Sequence, residues 1–276
     1  SISGGDGTDV IKIGTTGTAV DIGASDSWAR ASSVESIVAN ANTATADIDL
    51  NADAYTAGIR TIDISAVTAA SGNTILTDNY TGLFKADTVM IGSATGVTTF
   101  TGGAGDDTIT GGTAGDSING GAGADTINVG TGVGTDVVII TGMGQTAEWT
   151  AVAATSVATT GMDIISGLNA GDDITLADYV GTSGTTVSAD HILDTNALTK
   201  AADLGVTIAE NSAQFIRGDY STNVFTESAT GADILMAYDA DADNSSIDAE
   251  AVILIGLGAN TFTVDSGVTG GAISIA

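Results

Sequence analysis

Aspartates at fixed spacing are the residues of this chain best suited to chemistry. GGAGDDTITGGTAGDSINGGAGADTIN, residues 102 to 128, is three nine-residue units reading G-G-x-G-x-D-x-U-x, where U is apolar and only Ala114 departs from the pattern. Each unit closes its glycine-rich half on a carboxylate: Asp107, Asp116 and Asp125. A degraded fourth unit, TGVGTDVVI at 131 to 139, adds Asp136 after a two-residue insertion near Val129 and Gly130. GGDGTDVIK at 4 to 12 adds Asp9, whereas Thr98 stands where SATGVTTFT, 93 to 101, needs its aspartate. Carboxylate and carbonyl oxygens in cages of about 6 to 8 suit Ca²⁺, while Mg²⁺ keeps its waters and Zn²⁺ wants His or Cys.

The candidate ligand loops are therefore Gly102, Gly103, Gly105 and Asp107; Gly111, Gly112 and Asp116; Gly120, Gly121, Gly123 and Asp125; Gly132, Gly134 and Asp136; and Gly4, Gly5, Gly7 and Asp9. Turn formation is the alternative for the same residues, because Asp and Gly tolerate left-handed φ without any metal. A second acidic run, YDADADNSSIDAE, places Asp239, Asp241, Asp243, Ser245 and Glu250 at positions 1, 3, 5, 7 and 12 of an EF-hand-like loop. Asn244 replaces the usual glycine, and Ile247 sits one residue late for the usual apolar position. A calcium loop in a β-hairpin and a solvated acidic turn both fit this run.

Charge argues for a cation from solution. Against 34 Asp plus Glu stand six bases, a formal net charge of −28, and Ala86 to Thr199 contains no Lys or Arg at all. Nucleic acid is excluded as a partner for that stretch, and the self-repulsion needs neutralising. Cysteine is absent, so disulfides and thiol chemistry are excluded. A single histidine, His191, forbids a two-His zinc site. Adjacent carboxylates (Asp106 with Asp107, Asp172 with Asp173) face opposite sides of a strand, so no enzyme is expected. No apolar run long enough for a transmembrane helix exists, and no basic-plus-apolar signal opens the chain. Ser1 lies within a repeat, so an upstream part of the same protein is expected.

The loops need a stack of short strands to hold them. An x-U-x strand points one apolar side chain inward. Two units make an 18-residue coil of a parallel β-solenoid, so loops two units apart share an edge at about 4.8 Å spacing. This pairs Asp107 with Asp125 and Asp116 with Asp136, one Ca²⁺ between each pair, and leaves the pair at Thr98 weak or empty. Steps of nine place Ile91, Phe100, Ile109, Ile118 and Ile127 on one ladder, joined by Val138.

VDIG, VESIVAN, ADIDL, IRTIDIS, NTILTD and DTVMIG, between 13 and 92, read as further coils, with an antiparallel sandwich as the alternative. Trp28 either caps the stack or is a half-buried aromatic. VSADHILDTNALTKAADLG, 187 to 205, has helical spacing and a Gly205 stop. QFIRGDY, ADILMAY and AEAVILIGL read as strands after it. The expected fold is all-β: a right-handed parallel β-solenoid with flanking β-helical coils and a mixed, mostly β C-terminal region containing one helix. Its expected domains are 1–92, solenoid coils; 93–140, the calcium roll; 141–185, a post-roll segment; and 186–276, the C-terminal region.

The tandem nonapeptides resemble the calcium-binding β-roll of RTX (repeats-in-toxin) proteins, the substrates of type I secretion. DIISGLNAGDDITLADY, 163 to 179, is similar to the segment that follows such rolls, with Leu168 in place of the aromatic and Asp173 as the last aspartate. The acidic, Thr/Ala/Gly-rich texture further resembles the surface-layer proteins of Gram-negative bacteria. This resemblance implies several Ca²⁺ ions, a cell-surface location, assembly with copies of itself into a lattice, and export by a type I apparatus on an uncleaved C-terminal signal. It equally implies the alternative of a calcium-folding and secretion module of a larger RTX enzyme, toxin or adhesin.

Overall fold

A computed structural model describes residues 2–41, 43–68, 72–77, 87–140, 151–153, 156–176, 185–188, 213–238, 250–265 and 271–276. The chain divides into two compact units, Ser1–Val138 and Ile139–Ala276.

In the first unit the strands are β1 (Ile2–Ser3), β2 (Val10–Ile13), β3 (Val20–Ile22), β4 (Ala31–Ser32), β5 (Ser36–Ala39) and β6 (Ala46–Asp49). After a short helix α1 (Ala52–Ala57) come β7 (Thr61–Asp63), β8 (Asn73–Leu76), β9 (Val89–Ile91), β10 (Thr98–Thr101), β11 (Thr108–Thr110), β12 (Ser117–Asn119), β13 (Thr126–Asn128) and β14, which begins at Val137. Alternate strands stack in parallel. One ladder runs β2, β5, β7, β9, β11, β13. The other runs β3, β6, β8, β10, β12. All six short segments read between 13 and 92 hold a strand, and their pairing is parallel, so the antiparallel sandwich is excluded for them.

Between the ladders lies a column of inward side chains. Ile37, Ile62, Met90, Ile109 and Ile127 face it from one side, and Ile48, Ile75, Phe100, Ile118 and Val138 from the other, all essentially solvent-free. Burying each such side chain contributes about 1.5–3 kcal/mol. The expected single ladder is therefore two interleaved ones. Met90, opposite Ile109, takes the place expected for Ile91, which instead lies opposite Thr110. The coil below Asp107 is 19 residues long rather than 18, and the extra residue shifts the register by one.

One short helix, α1, adds to the elements expected from the sequence. Asn51 caps α1 by accepting from the N–H of Asp53 and of Ala54, while its Nδ2 donates to Ala24 O and Asp26 O. Gly58, at φ 109, ends it in a left-handed cap. Trp28 is half-buried and lines a cavity of about 580 Å³ with Ile2, Ile22, Asp26, Ser27, Arg30 and Ala31.

The second unit contains β15 (Ala151–Ala153), β16 (Ser156–Ala158), β17 (Asp163–Ser166), β18 (Asp173–Leu176), β19 (Thr185–Ser188), β20 (Ala213–Ser221), β21 (Val224–Glu227), β22 (Asp233–Tyr238), β23 (Glu250–Leu254), β24 (Thr261–Asp265) and β25 (Gly271–Ile275). Pairing runs β15, β16, β21, β20, β22, β23, β17, antiparallel except for the last pair. A second set, β18, β25, β24, β19, is antiparallel throughout. Thr222 and Asn223, both at positive φ, make the tight turn between β20 and β21. Met162, Ile216, Phe225, Leu235, Ala237, Ala251 and Ile253 form a core cluster.

Of the helix expected over 187 to 205, Val187 and Ser188 end strand β19, and the remainder, His191 included, lies outside the described residues.

Candidate metal centre

The four nonapeptide aspartates begin as exposed-looking loop residues and end up buried. Asp107, Asp116, Asp125 and Asp136 are each 2 % exposed or less. The stacking explains this. Thr108 lies opposite Thr126, and the Asp107 N–H donates to Asp125 Oδ1 at 2.8 Å. On the other edge the Asp116 N–H donates to Asp136 Oδ1 at 2.7 Å across a 20-residue coil, which absorbs the two-residue insertion. Asp107 and Asp125 therefore share one edge, and Asp116 and Asp136 the other.

In Asp107 and Asp116 the carboxylate has two structural jobs. Its Oδ1 accepts the N–H at the start of the strand in the coil below: Thr88 N and Oγ1 donate to Asp107, and Thr98 N donates to Asp116, each at 2.7 Å. Its Oδ2 accepts from its own loop, Gly103 N for Asp107 and Gly112 N for Asp116, at 2.9 and 2.8 Å. These bonds satisfy backbone donors that a buried coil edge would otherwise leave unpaired.

The glycines serve close approach more than unusual φ. A Cβ on Gly102 would strike both Gly120 O and Asp107 Oδ2, and one on Gly111 would strike Val129 O and Asp116 Oδ2. Carbonyl and carboxylate oxygens from neighbouring coils thus converge on a point that only glycine leaves open. Gly121 and Gly123 do adopt positive φ, at 101 and 134. Gly103, Gly105, Gly112, Gly120, Gly132 and Gly134 lie in the same stacked loops.

Burial raises the Asp107 carboxyl above its ordinary value; hydrogen bonds from Thr88 and Gly103 oppose the rise and the charge of Asp87 adds to it. Burial likewise raises Asp116, against hydrogen bonds from Gly112 and Thr98. The stretch that carries these anions, Ala86 to Thr199, contributes no Lys or Arg of its own. Among the described residues no three His, Cys, Asp or Glu side chains come close enough to share an ion. A cation here would take two carboxylates at most and fill the rest of its shell with carbonyl oxygens. The donor set is hard oxygen throughout, which fits Ca²⁺ and not zinc.

Other expected residues are placed as follows. Gly4, Gly5, Gly7 and Asp9 form the loop before β2, with Gly5 and Gly7 at positive φ. Asp173 is the first residue of β18, and its Oδ1 accepts from Ser274 Oγ. Its neighbour Asp172 is the buried one: Oδ2 accepts from Asn169 N at 2.6 Å, and the position two residues before buried Ile174 matches that of Asp107 before Ile109. Asp239, Asp241 and Asp243 lie outside the described residues; Glu250 starts β23 opposite Tyr238, where β22 and β23 pair antiparallel.

Sequence reading missed the acids and amides that continue the ladders without a repeat. Asp87 Oδ1 accepts from Asp106 N, and Asp106 Oδ1 from Ala124 N, an exposed row beside the buried one. Asn73 Oδ1 accepts from Ala46 N and its Nδ2 donates to Val97 O. Register alone reveals them, because coils of 24 to 27 residues carry no periodic mark. No protein-family model, curated protein or solved structure matches this chain.

Proposed function

We propose that this chain is a calcium-stabilised structural β-solenoid segment of the RTX kind, built into a secreted surface-layer lattice and not an enzyme. One observation carries the calcium reading: two stacked rows of buried aspartates with carbonyl oxygens beside them and no base in the stretch. Burying an anion is costly unless a cation or hydrogen-bond donors meet it. Asp107 and Asp125 on one edge, and Asp116 and Asp136 on the other, would hold the ions with loop carbonyls.

Binding restricted to the folded state stabilises it by RT ln(1 + [L]/Kd). At low calcium the aspartates repel and the glycine-rich loops lose much entropy on ordering, which suits an export-competent chain. At millimolar calcium, sites with Kd of about 10⁻⁴ to 10⁻³ M fill. Extent favours a scaffold over an accessory tail, since parallel coils precede the nonapeptides and a second β unit follows them. Electron microscopy of the purified chain with millimolar Ca²⁺ and with EGTA tests the reading. Ordered sheets only in calcium support it, and dispersed particles in both overturn the lattice.

A further inference from the structure

The first coil departs from the two-ladder plan. Between β2 and β5 it is 26 residues long, against 18 from Asp107 to Asp125. The extra length holds residues 23–31, which carry Trp28, one of two tryptophans, and Arg30, one of six bases. This segment is pinned on several sides. Asp26 Oδ2 accepts from Gly23 N at 3.0 Å, Asn51 Nδ2 reaches across from the next coil to Ala24 O and Asp26 O, and Ala31 N donates to Trp28 O at 2.8 Å. β4 then pairs with β1 in a two-stranded sheet apart from both ladders, and Ile2 N donates to Arg30 O at 2.8 Å. Residues 23–31 close neither ladder; they wall the cavity of about 580 Å³.

Ligand cavities of this size are apolar for the most part, with a few polar groups that set specificity. Ile2, Ile22, Ala31 and the half-buried Trp28 indole supply the apolar wall here, and exposed Asp26 and Arg30 supply the polar groups. Trp28 Nε1 is shut off from solvent and meets no acceptor among the described residues. An unmatched donor is costly, so a small turn of the indole toward a ligand oxygen is favoured. The flat indole suits the C–H face of a sugar ring, and a guanidinium matches a carboxylate through two parallel hydrogen bonds. Asp26, with one oxygen on Gly23 N, accepts from hydroxyls and disfavours a ligand with more than one negative charge. We infer that this cavity binds a saccharide unit bearing a single carboxylate, of the uronic acid type, with its ring on Trp28, its carboxylate on Arg30 and a hydroxyl on Asp26. No lining residue belongs to a nonapeptide, so the site stands or falls apart from the calcium reading.

Titration of the full chain carrying Trp149→Phe, which leaves Trp28 as the one tryptophan, tests it with glucuronic acid, glucose and inorganic phosphate in calcium buffer. Glucuronic acid should change the Trp28 emission saturably, glucose should bind about tenfold more weakly, and phosphate should not compete. Arg30→Gln should bring glucuronic acid down to the affinity of glucose. Asp26→Asn, which keeps an acceptor for Gly23 N, should weaken glucose. Calorimetry on the wild-type chain should give the same order of affinities without any substitution. No saturable response to either sugar, competition by phosphate, or affinities that ignore Arg30→Gln and Asp26→Asn overturn the site.

Discussion

In the nonapeptide coils the N–H at the start of a strand donates to an aspartate of the next coil, whereas between β6 and β8 the same place is filled by Asn73. The backbone need is identical, and the side chains answer it with different charge. Asn73 brings a neutral acceptor and a donor that binds Val97 O, so that long coil is complete in itself. Asp107 and Asp116 accept two N–H groups each and bring a carboxylate into a buried place. Short coils gain an acceptor that reaches two donors, and with it a buried charge that the proposed cation would neutralise.

The largest expected effect is the removal of calcium. EGTA should weaken the far-UV β signal and lower amide protection most over Thr108–Asn128, with a smaller fall at Ala46–Leu76. Equal loss in both regions would mean that the two kinds of coil do not differ in cation dependence.

Asp116→Ala comes next. It leaves the buried N–H groups of Thr98 and Gly112 without their acceptor, at about 1–3 kcal/mol for each. Denaturant unfolding should show most of that loss in calcium and in EGTA alike. Asp116→Asn keeps one acceptor, sets an amide NH2 against the second N–H and drops the charge, so it should be destabilised in both conditions and more so in calcium. Equal destabilisation in both conditions would mean that no cation uses this charge. Asp107→Ala and Asp125→Ala should weaken the calcium response more than Asp106→Ala, whose carboxylate lies in the exposed row.

Gly111→Ala should cost about 1–3 kcal/mol through the clash with Val129 O and Asp116 Oδ2. Gly23→Ala meets nothing nearer than Ser25 Oγ at 4.0 Å and should stay within about 0.5 kcal/mol of wild type. Thermal melts of both variants check the contrast; matching melts would deny the close approach of the stacked loops.

The smallest effect concerns pH. Asp107 and Asp116 are raised in the folded state, so they hold their protons more tightly there than in the unfolded chain. Without metal, their contribution is fully present below the unfolded value near 3.8 and is lost as pH rises through the higher folded value. Metal-free protein should therefore gain stability from these two groups on acidification from neutral toward pH 4. With calcium the sign reverses, because protons displace the ion. A metal-free melt that falls steadily on acidification would contradict the raised values.

Legibility in the sequence followed repetition. The stacking of Asp107 on Asp125 and of Asp116 on Asp136 could be read because each glycine and isoleucine recurs at the same step. Coils without a period hid their partners: Glu35 beneath no repeat, Asn73 in an ordinary strand, Thr88 as the donor to Asp107. Met90 displaced Ile91 through one extra residue, which composition does not signal. The capping pair Asn51 and Gly58 was a readable mark of α1, although a six-residue helix has no hydrophobic period to draw notice.

The sequence by itself determined that short strands would carry one apolar side chain inward and that carboxylates would gather on glycine-rich loops, since side-chain period and glycine spacing are local properties. Only the tertiary structure decided which carboxylates are buried and which N–H each accepts. Those depend on the length of the coil between two loops, and a difference of one residue in that length moves every side chain to a new neighbour.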